Sequence, residues 1–174
     1  MLGLATGCVV FAVCCYLVQF VLTMDSSYPD HRRMYRIETR RFSNINGNMK
    51  NTLGEFTDIE KVTSKYWPVS YYGNMTLDGK ETMVNLTLQE VDITFLDFFS
   101  LQIFSGSKQN ILHTPNSIAL YESSAKKYGD PATLPGTTIT IDAVSYTITG
   151  ILKNLPNNNN ISHCNGLVFN ISDG

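Results

Sequence analysis

From Met1 to Met24 the chain carries no charged residue, and its polar side chains are few, chiefly Thr6, Gln19 and Thr23. A helix over these residues would be about 36 Å long at a rise of ~1.5 Å per residue. That covers a hydrocarbon core of ~30 Å with some tilt, so the pattern predicts a membrane span over 1–24. The competing reading is a cleaved secretory signal, which calls for a basic leading segment, a shorter apolar run and a small-x-small cleavage site. "MLGLATGCVV" has no basic residue and "VLTMDSS" is a poor cleavage site, so the uncleaved span is preferred.

Beyond Asp25 the pattern changes to short alternations separated by turn residues. Tyr35, Ile37 and Thr39 alternate with Arg36, Glu38 and Arg40, the period-2 signature of a strand with one wet face. "FSNINGNMKNT" reads as a polar turn around Asn46 and Gly47. Phe56, Ile59 and Val62 recur at three-residue spacing, which predicts a helix over 53–66 closed by Trp67 and Pro68. "VSYYGNMTLDGKETMVNLTLQEVD" predicts a hairpin turning at Asp78 and Gly79, with Val84, Leu86 and Leu88 on the inner face of the return strand. "ITFLDFFSLQIFSG" predicts a short helix or turn packed on the sheet. "NSIALYESSAKKYGD" predicts a strand from Ser117 to Leu120 and a helix ending at Gly129, and "TTITIDAVSYTITGILK" two strands turning near Asp142 and Ala143. The strand then stops at Leu155 and Pro156 and gives way to four asparagines, Asn157 to Asn160. The predicted class is α+β: an N-terminal transmembrane helix, 1–24, followed by a mixed-sheet extracytoplasmic domain with a few short helices, 25–174.

Composition removes several functions. With 174 residues, 16% charged, and a formal net charge of -2, the chain lacks the basic footprint of a nucleic-acid binder. Cys8, Cys14 and Cys15 lie inside the apolar run, which leaves Cys164 as the one cysteine beyond it and excludes an internal disulfide in 25–174. No G-x-x-x-x-G-K-[ST] phosphate loop is present, so no ATP site is expected. The histidines are His31, His113 and His163, and the adjacent pair His163 and Cys164 sits in a polar loop that suits neither a nucleophile with its base nor a metal. No catalytic, cofactor or metal residues are therefore assigned. Gly3 and Gly7, four apart with the small Thr6 between them, form a candidate helix-packing face where a partner backbone could approach closely.

The order of landmarks "LGLATG", "RRMYRIE", "FTDIEKV", "VDITFLDFFSLQIFSG", "NSIALYESSAKKYG" and "ITGILKNLPNNNNISH" resembles the MacB-like periplasmic core domain of FtsX-type ABC transporter permeases, in the versions common in Bacteroidetes. The resemblance implies the first helix and the first part of the periplasmic domain of an inner-membrane permease, truncated at its C-terminal end. It implies an ATPase on a separate chain, a dimer of permease halves or subunits, and a possible periplasmic partner protein. It also places the residues after Met24 in the periplasm. The arginines Arg32, Arg33, Arg36, Arg40 and Arg41 pull the other way, because basic residues flanking a span favour the cytoplasm. A second reading is a single-pass signal-anchored glycoprotein ectodomain with a binding role, on the sequons at Asn74, Asn85, Asn160 and Asn170.

Overall fold

The computed structural model describes residues 2–37, 47–77, 80–141, 143–159, 161 and 164–169. It divides into two compact units, Met1–Tyr35 with Leu155–Ile161, and Arg36–Asn154 with Ser162–Gly174.

The first unit is built on helix α1, Leu2–Leu22. Its apolar side chains point outward all round, with Val9, Phe11, Tyr16, Val18 and Leu22 each more than half exposed. In water that surface would be costly, and a helix apolar on every side belongs in lipid or in a large core. No residue of the Ala5–Leu22 stretch is buried within the chain. After Leu22 the backbone coils through successive turns, Ser26 N–H to Thr23 O at 3.2 Å, Tyr28 N–H to Asp25 O at 3.0 Å and His31 N–H to Tyr28 O at 3.2 Å. A short 3-10 helix, His31–Arg33, follows.

The second unit is a mixed sheet of strands β1 (Val69–Leu77), β2 (Lys80–Glu90), β3 (Ile103–Ser105), β4 (Ser117–Tyr121), β5 (Thr138–Ile141), β6 (Val144–Leu152) and β7 (Gly166–Phe169). β1 and β2 form the predicted hairpin, antiparallel and in register from Val69 against Leu88 to Leu77 against Lys80. Its turn residues, Asp78 and Gly79, lie outside the described residues. β2 runs parallel to β7, β7 antiparallel to β4, and β4 parallel to β6. β5 pairs with β6 on one side and with β1 on the other. Six strands therefore close into a circuit, and β3 joins it along β6. Closure hides strand edges that would otherwise invite pairing with another chain.

The circuit encloses the core. Val84, Leu86 and Leu88 of β2 alternate with outward residues and meet Ile118 and Leu120 of β4, Ile139 and Ile141 of β5, and Ile148 and Ile151 of β6. Each such side chain contributes about 1.5–3 kcal/mol when fully buried. Closure depends on Gly73, which faces Ile141 across β1 and β5. A Cβ there would overlap the Thr140 carbonyl oxygen and sit 2.9 Å from Ile141 Cγ1.

The structure departs from the sequence reading in the segment before β1. Residues 47–54 form helix α2, Gly47–Gly54, where a polar turn is expected, and no helix covers 55–66. Phe56 is 58% exposed, so the three-residue spacing of Phe56, Ile59 and Val62 marks no buried face. The backbone there is instead drawn to the sheet edge, with Tyr66 N–H donating to Glu90 O at 2.9 Å and Lys65 bridging Val91. The alternation at 35–40 gives no strand over 35–37, and 38–40 lie outside the described residues. Helix α3, Phe95–Phe98, and helix α4, Glu122–Ala125, are both short. α4 stops four residues before the expected Gly129, whose N–H still reaches Ala125 O at 3.2 Å. Ala143, at φ 63°, turns β5 into β6 as expected, while Asp142 lies outside the described residues.

Candidate functional site

Within the asparagine run, Asn158 is anchored by the protein rather than by solvent. Within the first unit, Asn158 Nδ2 donates to Thr23 O at 2.9 Å and to Thr23 Oγ1 at 3.2 Å, and Asp25 N–H donates to Asn158 O at 2.9 Å. The carbonyls of a helix's last turn have no partner inside the helix and need one from elsewhere. Here Asp25 adopts a left-handed conformation, φ 60°, just past the helix. Its amide is directed to a segment more than 130 residues away in sequence. Thr23 Oγ1 also donates back to Gln19 O at 2.8 Å, so its hydroxyl both closes the helix and accepts from Asn158. Asn159 Nδ2 bonds to Pro156 O and shapes the loop itself.

The same loop is the covalent connection from β6 to β7. At its far end, in the second unit, Asn165 Oδ1 accepts from Thr87 N–H at 2.7 Å, and Asn165 N–H donates to Thr87 O at 2.6 Å. Asn165 Nδ2 donates to Ser124 Oγ at 3.1 Å, and Asn165 O accepts from Tyr121 N–H at 2.9 Å. One asparagine thus fixes the entry of β7 to β2, β4 and α4. The run of asparagines signals turns and caps in the sequence, yet nothing local distinguishes Asn158 from its three identical neighbours.

A second polar centre holds the segment before β1. Asp92 Oδ1 accepts from Thr63 Oγ1 at 2.9 Å, Thr94 N–H at 2.8 Å and Thr94 Oγ1 at 2.6 Å. Its Oδ2 accepts from Lys50 Nζ at 2.6 Å, Ser64 N–H at 2.9 Å and Ser64 Oγ at 3.1 Å. Burial alone would raise this carboxyl, but the bonds from Lys50, Thr94, Ser64 and Thr63 outweigh it and hold the group below the ordinary carboxylate value. With its lone pairs taken up by the protein, Asp92 is a structural clamp with little capacity left for a ligand.

The remaining candidates are dispersed. Gly3 and Gly7 face open space, since a Cβ at either would meet nothing within 4 Å, and Thr6 Oγ1 donates to Gly3 O at 3.0 Å. His31 Nδ1 lies 3.0 Å from Tyr28 O, His113 is exposed in a loop, and His163 lies outside the described residues. Burial pushes the Cys164 thiol up to about 11, against the lowering effect of the Gly166 amide, which argues against a reactive nucleophile. Among the described residues no group of three His, Cys, Asp or Glu side chains is placed to hold a metal. Asn74 and Asn85 are exposed on the outer face of the hairpin, and Asn160 and Asn170 lie outside the described residues.

A family model described as the MacB-like periplasmic core domain matches residues 1–170. Among solved structures, the chain overlays a domain of a protein described as a permease from Porphyromonas gingivalis with a TM-score of 0.58 at 20% identity, covering 73% of this chain and 58% of that one. The periplasmic region of MacB from Actinobacillus actinomycetemcomitans gives 0.46 at 18% identity, covering 75% and 57%. The extracellular domain of the noncanonic ABC-type transporter YknZ from Gram-positive bacteria gives 0.47 at 12%, covering 72% and 61%. Of these, the first supports a shared fold. The chain spans about three fifths of the length of each. A search of curated proteins returned no match.

Proposed function

The chain belongs to the MacB-like periplasmic core domain family, and on that premise we propose that residues 1–24 are the membrane helix, and 25–174 the extracytoplasmic part, of an ABC transporter permease subunit. The ATPase is a separate chain, the membrane is the inner membrane, and the residues after Met24 stand in the periplasm. Motion of the helices, driven by ATP, passes into the extracytoplasmic domain and there serves export or mechanotransmission. The Gly3, Thr6 and Gly7 face packs against another helix of the permease or of its dimer partner.

The observation that carries this reading is the pair of Asn158 side-chain bonds to Thr23, with the Asp25 amide on the Asn158 carbonyl. A shift or rotation of α1 moves the loop to which it is bonded, and that loop continues covalently into β6 and β7. Each bond contributes about 0.5–1.5 kcal/mol net, enough together to keep the helix end and the loop moving as one. In the intact permease with its ATPase, Asn158→Ala removes both side-chain bonds and leaves the backbone bond. ATP hydrolysis is expected to persist, while the nucleotide-driven change in thiol accessibility of a cysteine placed at Met83 weakens. If Asn158→Ala leaves that change intact, the route is wrong; if the unmutated permease shows no nucleotide-driven change, the coupling reading fails as a whole.

A further inference from the structure

The two strands that flank β2 cover it unequally. β1 pairs with it in unbroken register from Lys80 to Leu88, whereas β7 reaches only Leu88 to Glu90 on the other side. Successive residues of a strand direct their N–H and C=O groups to opposite sides. Asn85 O accepts from the Tyr128 hydroxyl at 3.1 Å, and both backbone groups of Thr87 are bonded to Asn165. Val91 N–H, further along, donates to Val168 O of β7 at 3.0 Å. The odd-numbered residues of β2 therefore point away from β1, and Glu81 and Met83 belong to that set. Among the described residues, no strand or loop supplies a partner for their N–H and C=O groups.

The open stretch from Glu81 to Asn85 is about 14 Å long at ~3.4 Å per residue, room for about five residues of an added strand. Sheet edges are commonly kept from pairing by a proline, a bulge or several charges. Here β2 contains no proline, its register with β1 is continuous, and Glu81 is the one charged residue between 81 and 85. Met83, at the middle of the stretch, is 81% exposed on the outer face, and a flexible thioether accommodates apolar neighbours of varied shape. Asn165 closes the stretch at Thr87, which suits a free extended segment better than the eleven-residue β2 of a second copy. We propose that the β2 edge from Glu81 to Asn85 takes up an extended peptide segment of a partner protein as an added strand. The segment places an apolar side chain beside Met83 and no acidic one beside Glu81, because side chains directly opposite each other across strands are in contact. The proposal stands on the sheet topology alone and holds on whichever side of the membrane the domain lies.

The test uses the whole chain, isotope-labelled in neutral detergent, with amide hydrogen exchange followed residue by residue by NMR. In the free chain the Glu81 and Met83 amides are expected to exchange at least about ten-fold faster than the Val84 amide, which faces β1. The probe is the peptide acetyl-Thr-Thr-Val-Thr-Thr-amide at millimolar concentration, which should slow exchange at Met83 and shift the resonances of Glu81, Met83 and Asn85. The same peptide N-methylated at its valine lacks one strand-forming N–H and should bind about ten-fold more weakly. Met83→Pro removes an edge N–H but no bond to β1, so the variant is expected to stay folded by far-UV circular dichroism and to lose the peptide response. Should that variant unfold, the exchange of Met83 against Val84 in the unmutated chain still decides. Equal exchange at those two amides means a closed edge and overturns the proposal. So does a peptide response that is absent, maps elsewhere or survives N-methylation. Protection of Met83 that grows with protein concentration assigns the edge to a second copy and overturns the partner peptide.

Discussion

Asp92→Asn tests how the segment before β1 is held. The substitution keeps the shape of the side chain but gives it one acceptor oxygen and one NH2 group. Placed with its NH2 toward the Oδ2 side, it faces Lys50 Nζ, the Ser64 amide and the Ser64 hydroxyl. Flipped, it faces the Thr63 hydroxyl together with the amide and hydroxyl of Thr94. Hydroxyls can rotate to accept, but a backbone N–H cannot, so either orientation strands one amide at a cost of about 1–3 kcal/mol. The Lys50 pair, with side chains 36% and 16% exposed, adds up to about 1 kcal/mol after allowance for solvent screening. A total of about 1–4 kcal/mol should lower the melting temperature by roughly 2–16 °C for a domain of this size, followed by far-UV circular dichroism in mild detergent. Asp97→Asn is the matched control, because its pair with Lys108 is 61% and 69% exposed. The pH dependence has a defined sign. The Asp92 carboxyl is held below its unfolded value in the folded protein, so its contribution is complete above the ordinary carboxylate range and is lost as pH falls through the folded value. The gap between wild type and Asp92→Asn should therefore close on acidification. An Asp92→Asn variant no less stable than Asp97→Asn at neutral pH would refute the clamp.

Gly73→Ala should destabilise the domain by about 1–3 kcal/mol, read as a lower melting temperature, because a Cβ there overlaps the Thr140 carbonyl where β1 meets β5; unchanged stability would mean that the circuit does not close at this point. Cys164 should react with a small thiol reagent at neutral pH about a hundred-fold more slowly than an ordinary thiol, since its value of about 11 against 9.0 leaves that much less thiolate, and should recover on denaturation. Replacing Gly3 and Gly7 together by Ile should weaken assembly of the permease in membranes, measured by cross-linking, and unchanged assembly would remove this face from the helix contacts.

How far the sequence could be read depended on whether the deciding interactions were local. The β1–β2 hairpin and the β5–β6 pair were legible because Val84, Leu86 and Leu88, and then Tyr146 and Ile148, alternate into one buried face beside strong turn residues. α1 was legible from length and absence of charge alone. The segment 53–66 was not, because its conformation is set by the carboxylate of Asp92 and the edge of β2, both distant in sequence. β7 was missed because Gly166 to Val168 are all buried and show no alternation, and its entry is fixed by Asn165 contacts with Thr87 and Ser124. The candidate site was half visible: four asparagines announced turns and caps, but only the fold selects Asn158 as the one that reaches Thr23.

The most direct measurement of the central claim asks on which side of the membrane the strand circuit stands. Met83, 81% exposed on β2, is replaced by cysteine in the intact permease, with other cysteines outside the membrane removed except Cys164, whose own labelling is read in the parent. Whole cells are then treated with a thiol reagent that crosses the outer membrane but not the inner, with the Met83 parent as the background control. Labelling of the Met83→Cys site in cells with an intact inner membrane is the expected result. Labelling that appears only after the inner membrane is broken would place the domain in the cytoplasm and contradict the proposed permease function.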